Sequence, residues 1–483
     1  MPYTQYTASP FLWQERIEKK RITNQTKTER KITVAGSREE AILNFLDEVD
    51  RLNMHGMLLT LEGQTLAEDY WKPWRAEQPH RMYSVSKSVV SLAVGMLADE
   101  GRLSLDDRIA AYFPEWTGGD KPELLLRVTI RDMLRMATCY DRAMYSPLKD
   151  EDWTKPFFFG RPTHVPGTVF SYDTSASQVM CALVERLCGK PILDWMEEKL
   201  FQPLGMKGAK KWLRDRAGVS QGGTGLIMTL RDLSRLANFC MSDGRGLISS
   251  DYLRAATGWQ IATDERAGLE ERYGYGYQFW QMRRGFSMYG MGGQMAMCLP
   301  EKQLCLCTTA DLIMDATGVQ PLYDAFFRHL ADIDTLSSDP ALAPRVQARL
   351  NALEAPARRN ETQNHPFLAD IELSHGTLPF DRLEVRKHEV TFHQGGTAYV
   401  LPYGNGCWKS GTFPGTEEAC ISSGGWAAPE RFLLHCELNG DSSCGMDLIV
   451  ALHEREATVR VVSSLWEVVP NWQGQDWGKA AVG

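Results

Sequence analysis

The stretch from Ser88 to Ala98, SVVSLAVGMLA, runs for eleven residues without a charge and is entered through a lysine, Lys87. A segment of helical length that is apolar on every side has no face to offer water, so the fold must enclose it. Its neighbours suggest how. Upstream, SREEAILNFLDEVDR sets Ile42, Leu43, Phe45, Leu46 and Val49 at helical spacing behind a serine cap with Glu40 at its third position. HGMLLTLEGQTLAEDYW then predicts two strands joined by a turn at Glu62-Gly63. A helix, a hairpin and an uncharged helix in succession imply an α/β (α+β) arrangement, a sheet covered by helices.

The 483 residues exceed what one core usually serves, so a second unit is expected. Residues 100 to 240 read as mostly helical, with loops marked by Pro and Gly. YGYGYQFW (273 to 280), SMYGMGGQMAMCLP and KQLCLCTTAD predict three further strands, and GVQPLYDAFFRHLADI (318 to 333) a helix returning to the sheet. The pattern changes at residues 335 to 366, where Pro, Ala and Arg mark a partly helical linker. Beyond it EVTFHQ, AYVLPY, RFLLHCEL, DLIVALHE and TVRVVSSLW are short, β-branched and separated by turn residues. That spacing suits an all-β barrel or sandwich over residues 367 to 483. The expected organisation is an N-terminal extension (1 to 36), a main domain (37 to 334), the linker, and the β domain.

A net charge of -8 argues against nucleic acid or an anionic membrane as partner. No run of eighteen apolar residues occurs and the N-terminus lacks a signal-peptide core, so the expected location is the cytoplasm. Eleven cysteines without a secretory signal fit reduced thiols. Cys298, Cys305 and Cys307 read as core thiols on strands, not metal ligands, and no metal or cofactor motif is present. A homo-oligomer is compatible with the composition.

The chemistry centres on YSVSKS. Ser84 and Lys87 are three residues apart, so on a helix the hydroxyl and the amine share a face. Serine becomes a nucleophile only when a base takes its proton, and lysine is such a base only when its pKa is lowered. Apolar surroundings and the positive end of the helix dipole both push that way. The bland reading of the pair is a helix cap beside a snorkelling lysine. A second S-x-x-K, Ser146-Pro-Leu-Lys149, reads as a loop because of its internal proline. A Ser-His-Asp arrangement has little to work with, since no histidine lies between His164 and His329; His55, His80 and His164 read as surface or satisfied polar residues.

Taken together, SVSKSVVSLAVGMLADEGRLSLDDRIAAYFPEW, VTIRDMLRMAT, the run from Pro166 to Met206 containing Tyr172, GGTGLIMTLRDLSRL and GMGGQ resemble, in order, the serine β-lactamase and penicillin-binding-protein family. The resemblance covers about residues 40 to 330 and is nearest to the branch of class C β-lactamases, family VIII carboxylesterases and 6-aminohexanoate-dimer hydrolases. It implies a β-lactamase-like antiparallel sheet flanked by helices plus a helical subdomain. It also implies Ser84 as acylated nucleophile, Lys87 as its base and Tyr172 as proton relay, with the backbone N–H groups of Ser84 and Met291 as oxyanion hole. Trp153, Thr174, Tyr289, Gly290 and Gly292 would line the substrate cleft.

Two departures from that pattern matter. The second motif reads Tyr172-Asp173-Thr174, without the usual amide, and the third reads Met288-Tyr289-Gly290, without the usual cation. The absent cation puts β-lactam and D-Ala-D-Ala substrates in doubt and favours neutral or less anionic esters and amides of small molecules. Lys409-Ser410-Gly411 imitates the third motif but reads as a strand end in the β domain. An acyltransferase using the same acyl-serine is the alternative of the same chemistry. β-Lactamase or D-aminopeptidase-type activity, and a non-catalytic acyl-ligand-binding protein, are the others.

Overall fold

Type and register of the first hairpin follow from its turn. Glu62 and Gly63 both take positive φ, 52° and 76°, the combination that matches the twist of a two-residue hairpin. It joins β1 (Met54–Leu61) to β2 (Gln64–Tyr70). The computed structural model describes residues 35–482 except 264, 265, 267, 362–367, 466, 467 and 470; nearly all of the N-terminal extension lies outside the described residues.

The main sheet has six antiparallel strands in the order β2-β1-β6-β5-β4-β3, with β3 Trp280–Gln281, β4 Phe286–Gly290, β5 Gln294–Leu299 and β6 Leu304–Ala310. Alternation divides its residues between two cores. Leu58, Cys298, Cys305 and Cys307 face the helix α2 (Val85–Asp99) and its partner α3 (Thr174–Cys188). Met57, Leu59, Met297, Leu299, Leu304 and Leu306 face the opposite way, toward α1 (Arg38–Val49) and the returning helix Gln320–Ala325, which continues to Leu330. Both faces being covered, the strands read as continuous apolar runs. Every residue of α2 from Val85 to Leu97 is buried, as its lack of charge requires. α1 has the expected Ser37 cap, whose hydroxyl accepts from Glu40 N.

Two expectations need correction. SMYGMGGQMAMCLP is not one strand but the hairpin of β4 and β5. YGYGYQFW contributes only Trp280 to β3: Gly274 sits at φ +113° and Gln278 at φ +66°, so the chain winds over Ile261 and Ala256 before it reaches the sheet. Between the sheet and the β domain, helix Ala343–Asn351 packs Val346 and Leu350 into the second core and ties Arg349 to Asp50 at 2.7 Å.

The C-terminal region is a nearly closed ten-stranded antiparallel barrel. Its strand order runs from Thr397–Pro402 through Glu389–Gln394, Arg382–Val385 and Ala369–His375, then Gly474–Val482, Glu456–Ser463, Gly445–His453, Arg431–Leu438, Ala419–Ala428 and Lys409–Thr412. Alternate residues such as Phe432, Leu434, Cys436, Leu448, Val450, Val459 and Val461 fill its interior. Lys409-Ser410-Gly411 is its edge strand, paired with Gly411 opposite Cys420.

Candidate active site

Ser84 opens α2 with helical backbone angles and no side-chain capping bond, so the capping role does not occupy its hydroxyl. Lys87 Nζ donates to Ser84 Oγ at 2.8 Å and to Gly223 O at 2.8 Å. The lysine is 1% exposed. Burial pulls its amine down to about 7, with the Asp173 carboxylate working weakly the other way. An ammonium enclosed by the apolar helix is disfavoured; a neutral amine is not.

Tyr172 completes the group. Its ring centroid is 5.1 Å from Lys87 Nζ and it stacks on Trp280 at 5.4 Å. Burial pushes its phenol up to about 12, against a hydrogen bond to Ser84 and the charge of Arg266. Burial thus favours the protonated phenol and the neutral amine, each for the same reason. Asp173 caps α3 by accepting from Ser175 N at 2.8 Å; burial raises it to about 6. Thr174 follows it into the cleft.

That cleft is a cavity of about 420 Å³ lined by Ser84, Tyr172, Thr174, Trp153, Tyr145 and Met291, among others. Tyr145 and Trp153 stack at 4.7 Å to form one wall, and the rim residues Asp141 and Arg142 pair with each other at 3.9 Å. Gly290 is required beneath it: a Cβ there would lie 2.1 Å from Met82 O. This close approach brings the end of β4 against the entry to α2 and leaves Met291 at the cavity. Tyr289 is half-buried between the two cores, and Gly292 packs on Ile313 and Ala310. Met288 is buried in the first core, so β4 offers the cleft no cation.

The Beta-lactamase family model matches residues 47–310, more than half of the chain. The chain belongs to the beta-lactamase family. Among its curated relatives, 6-aminohexanoate-dimer hydrolase of Paenarthrobacter ureafaciens is 27% identical over 202 residues, 38% of this chain and 52% of that protein. Esterase EstB of Burkholderia gladioli is 30% identical over 176 residues, 32% of this chain and 44% of that protein. The chain thus spans about half the length of the curated relatives it matches. A solved structure described as SurE superposes with a TM-score of 0.50 at 15% identity, covering 86% of this chain and 94% of that one. At that identity the likeness is of fold; its span exceeds the residues ahead of the barrel.

Sequence reasoning missed how this beta-lactamase family member joins its barrel to its sheet. Loop 439–444 reaches the residues just before Ser84. Beside it lies a buried polar chain: His55 Nδ1 is 3.1 Å from His80 Nε2, and His55 Nε2 is 2.9 Å from Glu437 Oε2, near in distance though not aligned as a hydrogen bond. Glu437 Oε1 accepts from Asn53 at 2.7 Å and lies 2.8 Å from His435 Nε2. Burial works to lower His435, but its contacts with Asp447 and Glu437 outweigh that and push it up to about 10. His55 and His80 are therefore buried polar residues rather than surface ones, and His55 alone of the two reaches the barrel, at Glu437. Gly223 was a findable ligand: a Cβ there would fall 2.3 Å from Thr174 Cγ2, so the Gly-rich QGGTG run is what lets a carbonyl reach Lys87.

Among the described residues no cluster of His, Cys, Asp or Glu is arranged to hold a metal ion, and no helix is long and apolar enough to cross a membrane. All eleven cysteines are free thiols.

Proposed function

We propose that the chain is a serine hydrolase that forms an acyl-enzyme on Ser84 and acts on small neutral esters or amides. The observation that carries this reading is the contact of 2.8 Å between the enclosed Lys87 Nζ and Ser84 Oγ, whose residue lines the cavity. The neutral amine takes the hydroxyl proton as Oγ attacks the carbonyl carbon. The backbone N–H groups of Ser84 and Met291 face the oxygen on which negative charge develops. Tyr172, still protonated, hands a proton to the leaving group as the carbon–heteroatom bond breaks. Water then attacks the acyl-serine and the same groups run in reverse.

The wall of Tyr145 and Trp153 and the neutral end of β4 support an apolar group beside the scissile carbonyl and a substrate without a carboxylate. Free thiols throughout support a reducing, cytoplasmic location. The test is hydrolysis of a short-chain p-nitrophenyl ester by the wild type and by Ser84→Ala, purified in parallel. Activity that disappears with Ser84 is expected; equal rates in the two proteins would remove the acyl-serine reading.

A further inference from the structure

The chain enters the nucleophile helix through Tyr83, whose φ of 44° places a bulky side chain in the left-handed region, where residues other than glycine are uncommon. Its surroundings hold it there. The phenol donates to Ser443 O at 3.2 Å and accepts from Ser443 N at 3.4 Å. The Arg81 guanidinium lies 4.9 Å from its ring centroid. Ser443 belongs to the barrel loop 439–444, between strands Arg431–Leu438 and Gly445–His453.

The same loop takes a second hold. Arg81 N donates to Ser443 Oγ at 3.3 Å, while Arg81 Nε donates to Thr224 O at 3.1 Å. Thr224 follows Gly223, whose carbonyl fixes Lys87. The loop is itself tied down, through Asp441 to Lys211 and through Asn439 O to Gln78 at 3.4 Å. One barrel loop therefore holds the residues that lead into Ser84, and Arg81 ties those residues to the segment whose carbonyl fixes Lys87.

We propose that Tyr83 is a positioning residue for Ser84 and that Ser443 is its anchor, which makes the C-terminal barrel part of the active-site framework. The inference rests on the reading of Ser84 as nucleophile. Tyr83 turns the Ser84 N–H and Oγ toward the substrate carbonyl, and an attacking group displaced by a fraction of its bond length loses much of its rate. Tyr83→Phe removes both contacts to Ser443 while keeping the ring under Arg81.

The test uses the full chain and an alkyl fluorophosphonate, following both the rate and the final stoichiometry of labelling by intact mass. Attack forms an Oγ–P bond, expels fluoride and leaves the serine proton on Lys87, so deacylation does not intrude. Tyr83→Phe is expected to label about tenfold more slowly yet still reach one label per chain, and Ser443→Ala to slow labelling by a smaller factor in the same direction. A role in folding alone would lower the final stoichiometry and leave the rate of the labelled fraction unchanged, which overturns the proposal, as does a wild-type rate. Should Tyr83→Phe fail to fold, Ser443→Ala tests the loop's hold on Arg81 N, the one contact its hydroxyl makes here, and a wild-type labelling rate there removes the barrel loop from the active-site framework. Labelling absent from the wild type, or persisting in Ser84→Ala, would instead remove the nucleophile reading on which the proposal stands.

Discussion

Replacing Lys87 by methionine should abolish activity and yet raise stability, by an amount that depends on pH in a calculable way. The side chain is enclosed, and its amine is drawn from 10.5 down to about 7 in the folded protein. Below pH 7 the lysine is charged in both folded and unfolded chains, so the full penalty of enclosing the charge is present. Above 10.5 it is neutral in both and the penalty vanishes. Between those limits the unfolded chain binds more protons, so wild-type stability rises with pH. From those two values the penalty is about 4 kcal/mol at pH 7 and about 2 kcal/mol at pH 9. Lys87→Met escapes it but leaves Gly223 O without its donor, a loss that is the same at every pH. Denaturant midpoints of the two proteins, measured in parallel at pH 7 and pH 9, isolate the charge: groups that titrate in both proteins cancel. The variant's advantage should shrink by about 2 kcal/mol between the two pH values. A gap that is constant with pH would mean that the folded lysine titrates normally, and the serine would then have no base at neutral pH.

Other outcomes follow from the same geometry. The kcat/KM for a p-nitrophenyl ester should fall as pH drops through about 7, and Tyr172→Phe should lower kcat by about a hundredfold or more without moving that limb; a limb near pH 9 would contradict the assignment of the base. Trp153→Ala removes half of the stacked wall and should cost about tenfold in kcat/KM for a hexanoyl ester while sparing the acetyl ester; equal losses on both would place the acyl chain elsewhere. His435 is raised to about 10 by Asp447 and Glu437 in spite of burial, so its stabilisation is complete below pH 6.5 and is lost as pH rises through 10. His435→Gln should therefore lower the denaturant midpoint markedly at pH 6 and little at pH 10; a pH-independent loss would speak for packing alone.

The site was legible to the extent that it was local. Ser84 and Lys87 are neighbours on one helix, and the absence of charge in the residues that follow announced both the burial of that helix and the depressed lysine. The barrel strands were legible for a similar reason, since alternation along each strand tells its two faces apart. Tyr273 to Phe279 looked like a strand because its aromatic residues suit one, but Gly274 and Gln278 turn the backbone out of extended form. The framework around Tyr83 was invisible in principle. Residues 83 and 443 are brought together by the docking of two separately patterned units, and nothing in either local pattern refers to the other.

The barrel's strand order also has a bearing on how such a chain is made. Gly474–Val482 lies between Ala369–His375 on one side and Glu456–Ser463 on the other. The latest strand in sequence is thus a central stave, and the earliest must wait for it with one edge unpaired. A ribosome-bound chain would carry two open half-sheets until that strand emerged, with backbone N–H and C=O groups available to any passing strand. Association with a holding chaperone, and a sharp loss of soluble yield when Gly474–Val482 is deleted, are the cellular signatures to expect from this topology.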